Sequence, residues 1–177
     1  MMRHLIAWLI ALSLTGCASL GEHRPPIDRA SDVDLDRFMG TWYVIAHIPT
    51  FIDRGGHNQV EHYALNPDGS IATTFSFNAG GFDGERKVYT PTGFVREGTG
   101  NAVWGMQFIW PIKAEYVIAA LDEDYQVTII ARSKRDLVWL LARRPAMDAV
   151  DYQHWLSQIA DLGYDIDTVV QVPQRWP

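Results

Sequence analysis

One cysteine in 177 residues, Cys17, leaves no partner for an internal disulfide and no basis for a cysteine-rich zinc centre. Basic residues never run longer than two together, as in Arg86-Lys87 and Arg143-Arg144, and the formal charge is −6. A nucleic-acid partner needs a concentrated cationic surface, so none is expected. The chain also lacks a G-x-S-x-G elbow, an H-E-x-x-H pair and a glycine-rich phosphate loop in either common spacing. His47, His57 and His62 cluster near one connection without metal-ligand spacing. Strand geometry points His47 outward and puts His57 and His62 on opposite faces, so exposed polar histidines are expected, with no metal and no other cofactor. Internal repeats and low-complexity runs are missing, and 20% charged residues of mixed sign do not describe a disordered chain.

What is present is apolar and aromatic: 47% hydrophobic residues, 12% aromatic, in a length that suits one compact domain. The first residues form a separate unit. Met-Met-Arg-His precedes an apolar run from Leu5 to Leu14, too short to span a membrane, and small residues follow. This is the pattern of a secretory signal. Leu14-Thr15-Gly16-Cys17 resembles the bacterial lipobox, which implies that Cys17 is lipidated and becomes the first mature residue. Residues 1–16 are then a lipoprotein signal peptide and the lone thiol an anchor. Ala18 lacks the acid that typically retains such proteins in the inner membrane, which implies the outer membrane, facing the periplasm. An acidic body is not held at an anionic surface by charge, so attachment rests on the lipid. Residues 17–34, with Pro25-Pro26 and scattered charges, read as a tether.

From Gly40 onward, β-branched and aromatic runs alternate with turn signals. Strands are expected near 41–48, 58–66, 70–78, 85–92, 101–109, 115–122, 126–132 and 137–143. Asn66-Pro67-Asp68-Gly69 is a turn with a mechanism, proline presetting φ and glycine supplying a positive one. Eight strands without intervening helices indicate an all-β, antiparallel up-and-down meander that removes its edges by closing into a barrel. After Pro145 the period becomes helical, with Tyr152, Trp155, Leu156 and Ile159 on one face, Asp148 at the start and Gly163 at the end. This C-terminal helix is expected outside the barrel, followed by a short strand at 168–172. Residues 35–177 form the domain.

Phe38-Met39-Gly40-Thr41-Trp42-Tyr43 carries the G-x-W signature of the lipocalins. Ala120-Leu121-Asp122-Glu123-Asp124-Tyr125 resembles the family's second conserved region, with Leu121-Asp122 where Thr-Asp is usual. Leu140-Leu141-Ala142-Arg143 matches the arginine of the third. The resemblance covers about residues 33–172 and is closest to the bacterial outer-membrane lipocalins, which share the lipobox and imply that a homodimer is open to this chain. Physics assigns Trp42 and Arg143 a role of their own. One begins the first barrel strand and the other ends the eighth, so closure brings guanidinium and indole together as a cation–π pair at the barrel floor.

An eight-stranded barrel is either filled by side chains or holds one small ligand. Alternation puts Trp104, Met106 and Phe108 on one face of the fifth strand and Gln107 on the other; Phe75 and Phe77 share a face of the third. The sixth and eighth strands are apolar on both faces, so there the family resemblance assigns Tyr116, Ile118 and Trp139 to the interior. It likewise turns Tyr63 inward, and Glu61 with it. A carboxylate there would meet a ligand's amine or lie at the wet rim. Such walls suit an acyl chain with its polar tip at the mouth. The expected ligand is a fatty acid or lysophospholipid, bound, stored or transported without covalent chemistry. Two other functions fit the same barrel: an enzyme acting on a lipid with Glu61 and Tyr63, and a ligand-free structural lipoprotein with a filled core.

Overall fold

In the first half of the strand Ile71–Ala79 burial alternates as the side chains do, with Ile71, Thr73 and Phe75 buried and Ala72 and Thr74 exposed. Repeated strand by strand, this pattern bends one antiparallel sheet around an apolar interior. The computed structural model describes residues 25–176. The expected signal peptide, residues 1–16, and Cys17 lie outside them. The strands are β1 (Gly40–His47), β2 (Gly56–Leu65), β3 (Ile71–Ala79), β4 (Arg86–Tyr89), β5 (Thr92–Val95), β6 (Val103–Ile109), β7 (Ile112–Leu121), β8 (Val127–Ala131), β9 (Val138–Ala142) and β10 (Val170–Gln171). The order around the sheet is β10-β1-β2-β3-β5-β6-β7-β8-β9 with β4 also on β3, and β1 pairs with β9 to close the ring.

The fourth barrel strand comes in two pieces. β4 pairs with the Phe75–Asn78 part of β3 and β5 with Ile71 and Ala72. Pro91 stands in the gap because it has no N–H to give the ladder, while its carbonyl still accepts from the Thr73 N–H at 3.1 Å. The single strand expected at 85–92 is therefore corrected to β4 and β5. The ring counts eight strands when these two are taken as one.

A short helix, α1 (Leu35–Phe38), closes one end. Asp34 caps it by accepting from the Arg37 N–H at 3.2 Å. Phe38 is fully buried, its ring 5.1 Å from Trp42, 5.7 Å from Tyr63 and 5.5 Å from Trp104. The Arg143 guanidinium lies 3.8 Å over the Trp42 indole. It also donates to the carbonyls of Arg37, Phe38, Met39 and Thr41 at 2.8–3.1 Å, so one side chain ties the end of α1 to the start of β1.

The tether reading fails for residues 25–34. Ile27 and Val33 are buried, the Ala30 N–H donates to Ile118 at 2.9 Å, and the Val33 N–H donates to Gly100 at 2.8 Å. Single apolar pegs dock this stretch, and no helical or strand period announces them.

The second helix, α2 (Ala149–Asp161), lies outside the barrel. Asp148 caps it by accepting from the Val150 and Asp151 N–H groups at 2.9 Å. Ile159 is buried, and Tyr152 and Trp155 pack beside it on the outward residues Ile45, Val138 and Leu140. This explains why β7 and β9 are apolar on both faces. Beyond α2 the chain returns as β10, which pairs with Ala46 and His47 of β1. The tail continues between β1 and β2 where their own ladder has opened. The Val172 N–H donates to Ile45 at 2.9 Å, and the Gln174 amide donates to the carbonyls of both Val44 and Gln59 at 2.8 and 3.0 Å.

Candidate ligand-binding site

The connections 48–55, 80–85, 110–111 and 132–137 gather at the end opposite α1 and leave the barrel open there. Beneath them is a cavity of about 250 Å³. Its wall is carbon: Phe75 from β3, Met106 and Phe108 from β6, Ala114 from β7, Leu137 and Trp139 from the β9 side, and Ile52 from the first connection. Tyr116 lies at its base. Its hydroxyl is 2.6 Å from that of Tyr63, and its ring stacks on Trp104 at 5.1 Å.

Five of the nine expected ligand-facing residues, Phe75, Met106, Phe108, Tyr116 and Trp139, line this space. The other four do not. Tyr63, Trp104 and Ile118 point inward but are buried in the packed layer between the cavity and α1, and Phe77 is buried toward the open end, its ring against Phe75 and Tyr89. Alternation tells inside from outside and carries no information about depth along the barrel axis. Phe108 lines the cavity only at its mouth and is half exposed, because the ladder of β6 and β7 shifts between Met106 and Ile109.

The polar groups were the harder ones to foresee. Glu61 faces the cavity from β2 and is buried. Burial, with the nearby Asp53 charge, pushes its carboxyl up to about 8. The expectation of an outward His47 is wrong. A bulge between Val44 and Ala46 shifts the alternation by one, so His47 is buried, with Nδ1 3.3 Å from Asp53 Oδ2. The Gln59 amide donates to Asp53's carbonyl and meets His47 Nε2, both at 3.3 Å, so the two sides of the imidazole face Gln59 and Asp53. Burial alone would raise the Asp53 carboxyl, but His47 and Thr50 outweigh it and hold it below its usual value. Thr50 gives Asp53 Oδ1 two bonds of 2.7 Å, from N–H and hydroxyl. This lock shapes the first connection, whose Thr50, Phe51, Ile52 and Asp53 line one side of the cavity. Only the Thr-x-x-Asp spacing hinted at it.

Arg132 lines the cavity from the last open-end connection. Its NH1 is 3.2 Å from Asp136, while its buried Nε has no protein partner. Thr73 also holds a buried hydroxyl without a partner, against the same space. Chemically the site is an apolar cup with a few polar handles. Among the described residues no group of three or more His, Cys, Asp or Glu is placed to hold a metal.

The chain is similar to named proteins over most of its length. It is 25% identical to the outer membrane lipoprotein Blc of Vibrio cholerae over 177 residues, covering 98% of this chain and all of that one. It is 26% identical to Blc of Escherichia coli over 81% of each chain. Temperature-induced lipocalin-1 of Arabidopsis thaliana is 28% identical over 80% of each. Among solved structures, insecticyanin of the tobacco hornworm overlays with a TM-score of 0.65 at 15% identity, covering 84% of each chain. The cockroach allergen Per a 4 overlays at 0.62 and 20% identity, covering 84% of this chain and 94% of that one. These overlays show the fold alone. Residues 33–174 match the lipocalin-like domain, from the docked segment before α1 to the tail that seals β1 against β2, and on that match the chain belongs to the lipocalin family.

Proposed function

We propose that this lipocalin is a lipid-anchored protein of a bacterial outer membrane, held at the periplasmic face through Cys17. In this reading it binds a fatty acid or a lysophospholipid in its cup and does no covalent chemistry on it. The observation that carries the reading is the open, carbon-walled cavity of about 250 Å³ with the unpartnered Arg132 Nε at its lining. The walls take an acyl chain. The guanidinium takes the anionic head, a carboxylate or a phosphate diester. The volume is at the small end of ligand pockets, so the cup encloses part of a long chain and the rest runs out past Phe108. Similarity to the outer membrane lipoproteins Blc supports the anchored location.

The test is a series of saturated fatty acids added to delipidated protein, read by Trp139 emission against a Trp139→Phe control. Each methylene buried is worth about 0.8 kcal/mol, close to fourfold in affinity. Affinity should climb at that rate with chain length and level off once the chain outgrows the cup. Affinity indifferent to chain length would favour a filled, structural barrel. Turnover of any lipid in the series would favour an enzyme.

A further inference from the structure

We propose that the mouth of the barrel faces the membrane and that its rim inserts there, so that a lipid passes between bilayer and cup without crossing water. The proposal uses the lipid-anchored reading for its tether. It rests on three observations at one end of the molecule.

The first is an apolar rim. Phe51 is 93% exposed at the tip of the first connection, and Ile109, Trp110 and Ile112 are 72%, 82% and 68% exposed at the β6–β7 turn, with Phe108 at 51% below them. No other turn of the barrel among the described residues presents a comparable group. Large aromatic and aliphatic side chains with a tryptophan among them partition to the headgroup boundary of a bilayer.

The second is where the chain outside the structure joins. Pro25, the first described residue, accepts from Arg135 at 2.7 Å, and Arg135 sits in the 132–137 connection at the open end. Seven residues separate Pro25 from Cys17. At about 3.5 Å per residue an anchor at Cys17 lies within about 28 Å of the mouth. The closed end, with α1, points away.

The third is charge. In these connections Asp53 pairs with His47, Asp83 with Arg175 and Asp136 with Arg132, while Glu85 pairs with Lys87 of β4. Arg54 and Lys134 are exposed at the same end and make no ion pair with a described residue, while the Lys113 ammonium lies 3.4 Å over the Phe94 ring and Glu115 accepts two hydrogen bonds from Ser133. In a chain of net charge −6, the cations left over at the rim match anionic headgroups.

The experiment reconstitutes the full chain into vesicles of phosphatidylglycerol and phosphatidylethanolamine that carry bromine on the acyl chains, which quenches tryptophan on contact. Wild type should be quenched, and Trp110→Phe should reduce the quenching at least twofold. Ile109→Glu with Ile112→Glu should reduce it as much without loss of fold, since both side chains are solvent-facing. Adding Arg144→Trp, at the closed end, to Trp110→Phe should restore none of it. Quenching unchanged by Trp110→Phe, or quenching at position 144, overturns the proposal. So does an unquenched Trp110 in a dimer that Ile109→Glu with Ile112→Glu dissociates, which assigns the rim to a second copy. Fatty-acid binding by the cup is read in detergent. If binding is absent while Trp110 is quenched, the ligand reading fails and the docking stands.

Discussion

A carboxyl surrounded mostly by carbon holds its proton well above the usual range, and Glu61, inside the cup, does so to about 8 from an ordinary 4.5. The consequence for stability has a definite sign. Below about pH 4.5 the group is neutral in both folded and unfolded chains. As pH rises toward about 8 the unfolded chain ionises it and the folded chain does not, so folding loses up to about 1.4 kcal/mol per pH unit. Urea unfolding across this range should show stability falling with pH in wild type and a flatter profile in Glu61→Gln; equal slopes would remove Glu61 from the account. Met106 makes a second residue-scale case. It is buried on the cup wall, whereas Gln107 beside it points out and is half-buried. Met106→Glu should abolish fatty-acid binding, because an unpaired buried charge costs several kcal/mol, and Gln107→Glu should leave the affinity within about twofold. Titration with a fluorescent fatty acid decides it.

At the scale of elements, the closed end hangs on Arg143 and Trp42. The indole is fully buried, and its N–H donates to the Phe38 carbonyl at 2.8 Å. Trp42→Ala should cost about 3–5 kcal/mol in denaturant unfolding, by cavity formation and loss of that bond. Arg143→Ala should cost about 2 kcal/mol, from the lost stacking and the carbonyls left without a donor. Arg143→Lys should recover little, because an ammonium cannot serve the carbonyls of α1 and stack on the ring together. Variants that unfold with wild-type midpoints would mean that the closed end does not depend on this pair. The elements themselves were legible where local chemistry is strong. Gly69 takes φ +80° in the foreseen turn, and Asp148 caps α2. What stayed hidden was set by non-local geometry. The bulge that turns His47 inward has no glycine or proline to mark it. The docking of residues 25–34 depends on Ile27 and Val33 finding the finished barrel. The depth that separates Trp104 from Met106 is a property of the closed cylinder, and no single strand carries it.

For the whole molecule, the proposed anchor at Cys17 sets where everything above takes place. Metabolic labelling with palmitate in a bacterial host should mark the wild-type chain and not Cys17→Ser. An unlabelled wild type would remove the tether and leave rim insertion to be judged from the vesicle experiment alone. The family match, the closed ring and the cup all lie within residues 33–174 and do not depend on that outcome.

The tail between β1 and β2 also sets an order of events in time. Val44, Ile45 and Gln59 find their last partners in Val172 and Gln174, more than a hundred positions later. One edge of β1 must wait for β9 and the other, past Tyr43, for β10. A chain emerging from N- to C-terminus therefore carries the open edges of its first strand until residues 170–174 arrive. Contacts this distant form slowly, and unpaired edges invite other chains. For a C-terminal affinity tag, the sensitive junction is the residue that finishes the cylinder.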